Sequence, residues 1–402
     1  MIPFSPPRVD EETIKAVTEV LRSGWITTGP KTKLFEKKIA EYCGCPSVLC
    51  LNSATAGLEL ALRWYGVGEG DEVILPAYTY AATANVVMHC GAIPVLADVN
   101  KNDFNISIKS IEQKITAKTK VIMPVDFGGM PCDYNAIMAM VGDNKNKFKA
   151  KGVNQLKLGR IMVLSDAAHS FGATYNGKRT GSLTDISVFS FHAVKNLTTA
   201  EGGAMAFNLP EPFNNSEIYT ELCVKSLHGQ NKDALAKSQK GSWRYDVVEA
   251  GYKCNMTDIV AAIGLVELER YNGDTLAKRK HIVDFYQKAF AQCKWADLPI
   301  FKDTQRESSY HLYPLRIKNI DEKKRDAIIQ KIFDKDVSVN VHFIPLPMLS
   351  FYKNLNYKIS EYPVTYGNYS EEISLPIYYD LTETQLATIV NAVIKSVEEI
   401  GV

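Results

Sequence analysis

The feature that most constrains this chain is an alternation running from about residue 47 to residue 191. Short runs rich in apolar and β-branched residues, at 47–51, 72–76, 94–99, 120–125, 160–165 and 185–191, are separated by stretches with helical apolar spacing. Parallel strands need long crossovers, and a strand covered on both faces reads as a nearly continuous apolar run. The alternation therefore predicts an α/β layer with a mostly parallel sheet and helices on both faces. In such a sheet, ligands sit in the loops beyond the carboxyl ends of the strands.

Two helices are expected ahead of the sheet. One is capped by Asp10 and carries Ile14, Val17 and Leu21 on its apolar face; the other follows Pro30 with Leu34, Phe35, Ile39 and Tyr42 on one side. The texture changes beyond about residue 260. A long helix begins near Thr257, short strands are expected around 310–317 and 337–343, and an amphipathic helix closes the chain. That last helix opens with a capping box, Thr382-x-x-Gln385, and presents Leu386, Ile389, Val390, Val393 and Val397 on one face. The expected division is a large α/β domain at 1–264, including the N-terminal segment, and a smaller α+β domain at 265–402.

Composition removes several function classes. With 46 Lys+Arg against 45 Asp+Glu, the formal charge of +1 supplies no global field for nucleic acid or an anionic membrane. No apolar stretch approaches the roughly 20 residues of a membrane helix. The start, Met1-Ile2-Pro3-Phe4, lacks the basic and apolar regions of a signal peptide. Eight scattered cysteines without paired C-x-x-C knuckles predict free thiols in the cytoplasm and no metal site. Two polar stretches remain. The lysine-rich segment 143–159 precedes a strand and is expected to be a surface insertion. Segment 229–249, with Lys232, Lys237, Lys240 and Arg244, is either ordinary surface or a lid over an anionic substrate. Gly66-Val67-Gly68-Glu69-Gly70 looks like a nucleotide loop but precedes a strand, so it reads as a helix end and turn.

The informative chemistry lies at two strand ends. Val163-Leu164-Ser165-Asp166 ends a strand in a carboxylate, with His169 three residues on. Val188-Phe189-Ser190-Phe191 ends another, and its exit loop carries His192 and Lys195. An amine and a carboxylate delivered to one sheet edge suit pyridoxal 5′-phosphate (PLP). A lysine joins the cofactor aldehyde as an imine and later shuttles a proton. An aspartate against the ring nitrogen favours the protonated ring, which accepts electrons from the substrate carbon. A phosphate cradle is expected at Asn52-Ser53-Ala54-Thr55-Ala56-Gly57, where a helix N-terminus follows a strand, and a ring-stacking aromatic in Pro76-Ala77-Tyr78-Thr79-Tyr80.

These segments, with Ser23-Gly24-Trp25-Ile26-Thr27-Thr28-Gly29-Pro30 and Gly251-Tyr252-Lys253-Cys254-Asn255-Met256-Thr257-Asp258, resemble the DegT/DnrJ/StrS-type nucleotide-sugar aminotransferases, with the greatest likeness to the UDP-4-amino-4-deoxy-L-arabinose–oxoglutarate branch. The resemblance implies a fold-type-I PLP enzyme making amino sugars for cell-surface polysaccharide, with glutamate as amino donor. It implies Lys195 as the Schiff-base lysine, Asp166 on the pyridine nitrogen, His169 beside the ring, and Tyr80 stacked on it. It places Ser190 and the Ala54 and Thr55 amides on the phosphate, together with Asn255 from the neighbouring subunit of a homodimer with shared active sites. Thr28, Arg244 and His342 are the expected substrate contacts. Two departures are visible: Ser165 stands where relatives often carry Glu, and the insertion at 143–159 is long. Related sugar dehydratases replace the Schiff-base lysine with histidine, so Lys195 argues against that activity. A non-catalytic sensor of the same fold is the other alternative, and the Lys195–Asp166 pair argues against it.

Overall fold

The computed structural model describes residues 1–232 and 243–402. Seven strands form the central sheet: β1 (Ser47–Leu51), β2 (Glu72–Pro76), β3 (Ile93–Ala97), β4 (Thr119–Ile122), β5 (Met162–Asp166), β6 (Ile186–Ser190) and β7 (Gly203–Phe207). Their order is β1-β7-β6-β5-β4-β2-β3. All pairings are parallel except the two made by β7. Each of the six expected runs contains a strand. The central-sheet strand that sequence reasoning missed is β7, Gly-Ala-Met-Ala-Phe, which holds no β-branched residue and so carries little strand propensity. It forms because it is buried along its whole length and pairs on both sides.

The antiparallel direction of β7 matters for the site. Its first residue, Gly203, pairs with Leu51 at the end of β1 and with Ser190 at the end of β6. A Cβ on Gly203 would lie 2.4 Å from the Ala54 nitrogen, so a side chain here would push away the helix that follows β1. Helices α1 (Glu11–Ser23), α2 (Pro30–Cys43), α3 (Ala54–Trp64) and α4 (Ala81–His89) contribute to the large layer. Helix α5 (Asp258–Glu269) packs on α1 and α2, and its Asp258 carboxylate caps α2 by accepting from the Gly29, Lys31 and Thr32 amides at 2.8, 3.0 and 2.9 Å.

After α5 a π-type turn, Tyr271–Leu276, leads into α6 (Ala277–Phe290), whose Ile282, Val283, Tyr286 and Phe290 lie in a second core. That core covers a three-stranded antiparallel sheet, β8 (Ala296–Asp297), β9 (Tyr313–Ile317) and β10 (Glu372–Leu375). The closing helix α7 (Glu383–Ile400) has the capping box, and its five expected apolar residues are all buried.

Four features add to the sequence reading or correct it. The start of the chain contacts the region after residue 265: Ile2 bridges Val337 and donates to the Asp336 carbonyl at 2.7 Å. Segment 337–343 is not a strand; it makes only isolated bridges, because its Asn340 alone pairs with β10. On α1, Ile14 and Leu21 are 48% and 55% exposed while Thr13 and Val20 are buried, so the ends of the apolar stripe do not face the core of the chain. The insertion at 143–159 is anchored: Lys151 pairs with the buried Asp71 carboxylate at 2.8 Å, and Gln155 is fully buried. Asp71 precedes β2, so this lysine-rich segment lies at the amino edge of the sheet, away from the carboxyl ends of the strands.

Candidate active site

The carboxyl edge of the sheet opens on a cavity of about 370 Å³. Ala54 and Thr55 reach it from the start of α3, Tyr80 from the loop after β2, Asp166 from the end of β5, and Ser190 and Lys195 from β6 and its exit loop. Gly202 closes the floor beside them. The opposite wall comes from the smaller unit and the N-terminal segment: Phe4, His311, His342, Phe343, Leu375 and Ile377.

Asp166 is buried, and burial pushes its carboxyl above the usual range. Three contacts oppose that shift and hold the charge: the Thr83 hydroxyl donates to Oδ2 at 2.8 Å, the Ala168 amide donates to Oδ1 at 3.3 Å, and Lys195 lies near. Thr83 itself sits within 2.8 Å of the Thr79 hydroxyl. Burial pulls the Lys195 amine down to about 8, with Asp166 opposing. A neutral lysine is the nucleophilic form, so this environment primes the amine near neutral pH.

His169 is buried, and its Nδ1 accepts from the Gly128 amide at 3.3 Å, so its proton is on Nε2. Its ring centroid lies 4.3 Å from that of His311. His311 donates from Nδ1 to Asn196, the residue after Lys195, at 2.8 Å. That direction follows because the Asn196 amide nitrogen is used on the Ser309 carbonyl at 2.7 Å. Burial holds three of the cavity imidazoles, His169, His311 and His342, below the ordinary histidine range, the last at about 3.

The donor set fits PLP. Ser53 caps α3 by accepting from the Ala56 amide at 3.1 Å, which leaves the Ala54 and Thr55 amides of the first turn for an anion. Ser190 adds a hydroxyl beside them, Asp166 offers a charge for the ring nitrogen, and Tyr80, 64% exposed, offers a ring at the mouth. Residues 7–394 match the DegT/DnrJ/EryC1/StrS aminotransferase family. The chain belongs to this family. Spore coat polysaccharide biosynthesis protein SpsC of Bacillus subtilis is 38% identical, over 98% of this chain and 96% of that protein. Spr1654 of Streptococcus pneumoniae, designated a sugar aminotransferase, superposes over 100% of both chains in its PMP form with a TM-score of 0.96 and 45% identity. Its PLP form superposes with a TM-score of 0.95 and 43% identity, again over 100% of both chains. PseC of Helicobacter pylori, an aminotransferase in pseudoaminic acid biosynthesis, gives a TM-score of 0.87 at 28% identity over 99% of each chain. The protein is therefore a PLP-dependent aminotransferase of the sugar aminotransferase type.

Of the residues singled out in the sequence, Ala54, Thr55, Tyr80, Asp166, His169, Ser190, Lys195 and His342 line this one cavity. Asn255, Thr28 and Arg244 do not line it. Asn255 is bridged to Leu51, and its amide donates to the Thr28 hydroxyl at 2.5 Å, so these two form a separate pair outside the cavity. Arg244 is exposed and lies over the Trp243 ring at 5.1 Å. Lys237 and Lys240 of the expected lid lie outside the described residues. Sequence reasoning missed Thr83, His311 and Phe343. Thr83 lies in the first turn of α4, and its hydroxyl meets that of Thr79 in the loop before the helix, a contact no local pattern marks. The other two sit in irregular chain with no pattern to mark them.

Proposed function

We propose that this enzyme transfers an amino group from glutamate to a keto sugar linked to a nucleoside diphosphate, at C4, and that it works in the cytoplasm as a homodimer supplying amino sugar for cell-surface polysaccharide. One observation carries the substrate class. Around Lys195 the wall carries the neutral hydrogen-bonding groups Ser5, Thr79, Ser190, His169, His311 and His342, its other ionisable groups include the carboxylates Asp166 and Glu201, and no arginine is among the described lining residues. Such a wall matches an uncharged, hydroxylated ring better than a dicarboxylate.

In this reading Lys195 would hold the cofactor through its amine, and the same amine, when free, would carry the proton at the donor carbon. PLP supplies the electron sink when bound. Asp166 keeps the ring nitrogen charged, the Ala54 and Thr55 amides with Ser190 hold the phosphate, Tyr80 covers the ring, and His169 donates from Nε2 beside it.

Two observations support the dimer. The Thr28–Asn255 pair is held outside its own cavity by Asp258 and the end of β1. Around it, Ile14, Leu21, Ile26 and Leu34 are 42–55% exposed, an apolar face suited to a second copy. Asn255 then reaches the partner's phosphate, and Arg244 with Thr28 serves the partner's substrate, bringing a guanidinium that the described lining of one chain lacks.

The test is a panel of nucleotide-linked keto sugars incubated with enzyme and glutamate and read by mass spectrometry. An amino sugar formed together with 2-oxoglutarate is expected. Formation of 2-oxoglutarate with no sugar aminated across the panel overturns the substrate class.

A further inference from the structure

His342 is held on three sides. Its ring lies against Phe4, with centroids 5.5 Å apart and planes at 26°. Its backbone amide donates to Glu372 Oε2 at 3.0 Å. Its Nδ1 lies 2.9 Å from the Ser374 hydroxyl, which in turn donates to Glu372 Oε1. Ser374 is fixed by reciprocal backbone bonds with Asn340. Glu372 and Ser374 are both fully buried, in β10, and neither lines the cavity; His342 does.

The direction of this chain follows from donor counting. A serine hydroxyl carries one proton. With Glu372 charged, Ser374 uses it on the carboxylate, so toward His342 it can only accept. His342 therefore donates from Nδ1, and in a neutral ring the remaining nitrogen, Nε2, bears a lone pair. Glu372 is available for this because Arg316 and Arg325 direct their guanidinium groups to Asn368, Asp297, Asp326 and backbone carbonyls. Among the described residues Glu372 makes no ion pair of its own.

We propose that Glu372 and Ser374 are positioning residues for the sugar half-reaction, fixing the His342 proton on Nδ1 so that Nε2 accepts a hydrogen bond from a hydroxyl of the sugar. This rests on the keto-sugar reading above. The polarity selects between the two substrates. A lone pair facing the cavity matches a hydroxyl donor and repels carboxylate oxygens, so it favours the sugar and gives nothing to glutamate's carboxylates.

Replacing Glu372 with Gln keeps the shape and reverses the polarity. The Gln oxygen accepts from the His342 amide, its NH₂ donates to Ser374, and the serine turns its proton onto Nδ1. The histidine proton is then on Nε2. Ser374→Ala cuts the chain without altering Glu372.

The direct test is nitrogen NMR of ¹⁵N-histidine-labelled holoenzyme, with His342 assigned from a His342→Gln sample. Burial pushes Glu372 up to about 8, while Ser374, the His342 amide, Arg325 and Arg316 pull it down, and Tyr78 is the other titratable group coupled to it. Spectra are therefore recorded at about pH 9, above that value, where the carboxylate is charged. The wild type is expected to show the proton on Nδ1, and Glu372→Gln on Nε2. A wild-type proton on Nε2 overturns the proposal. In single-turnover experiments at the same pH, Glu372→Gln and Ser374→Ala should slow the sugar half-reaction about 10- to 100-fold, the range expected for one buried hydrogen bond. The glutamate half-reaction should stay within about twofold of wild type. Equal slowing of both half-reactions, or of neither, also overturns it. If wild type aminates no keto sugar, the substrate reading fails, and the NMR result still decides the relay.

Discussion

The two walls of the cavity are built by opposite means. The sheet-edge wall takes its groups from strand ends and the first turns after them: Asp166, Ser190, Lys195, Ala54 and Thr55. The facing wall takes Phe4, His311, His342 and Phe343 from irregular chain of the smaller unit and the N-terminal segment. One wall holds the charged amine–carboxylate pair; the other presents neutral imidazoles and aromatic rings. The lesson is a division of labour. Groups that hold a cofactor need sub-ångström placement, which a rigid sheet edge supplies. Groups that distinguish substrates can sit on chain that is free to vary.

Four substitutions sharpen or break this comparison. Lys195→Ala should have the largest effect, removing both the covalent anchor and the proton carrier. A loss of at least about 1,000-fold in the glutamate half-reaction is expected, within the range of positioned acid–base groups. Single-turnover absorbance measures it, and near-normal turnover would move the chemistry to another residue.

Asp166→Asn comes next, at about 100-fold in the same assay. It also has a signed effect on pH. Asp166 raises the Lys195 pKa against burial, which holds it at about 8. Removing the carboxylate therefore lowers it further, and the rate of cofactor capture by apoenzyme, which rises with pH as the amine loses its proton, should have its midpoint moved to lower pH. A midpoint that stays in place would uncouple the pair.

Asn255→Ala tests whether a third wall comes from a second subunit. Loss of one hydrogen bond to a charged phosphate, about 1.5–3 kcal/mol, should weaken cofactor retention roughly 10- to 100-fold on dialysis. Co-expressed Lys195→Ala and Asn255→Ala chains should regain activity, since one of the two sites in the mixed dimer then holds both intact residues. Mixed dimers without recovery would return Asn255 to its own chain.

The smallest effect belongs to Thr83→Val. It removes the hydroxyl that donates to Asp166 at 2.8 Å. Thr83 helps to keep that carboxyl charged, so its loss raises the Asp166 pKa and moves the acid limb of the kcat profile to higher pH. A drop of about 5- to 10-fold at neutral pH is expected, and an unchanged acid limb would assign Thr83 to packing alone.

The readable and unreadable parts of the molecule follow the same line. Lys195, Asp166 and the α3 cradle were legible because each sits at the end of a periodic segment, where the sheet's direction already says which way the loop faces. Strand β7 was not, since Ala204, Met205 and Ala206 owe their strand state to burial between β1 and β6. The stripe Ile14, Val17 and Leu21 was legible as apolar, but its exposure in the chain was not, because periodicity reports an apolar face and not what covers it.

By itself the sequence determined the layer, the order of its strand–loop units, the amine and carboxylate, and the family resemblance. These depend on local periodicity and on motifs a few residues long. Only the tertiary structure decided that Gly29 and Asp258, 229 residues apart, meet to cap α2, and that Thr28 and Asn255 pair outside the cavity. It likewise decided that Glu372 and Ser374 stand behind His342, and that the N-terminus belongs with Val337. Such contacts join distant segments through single hydrogen bonds. Their partners are selected by how the cores pack against each other, and no local pattern records them.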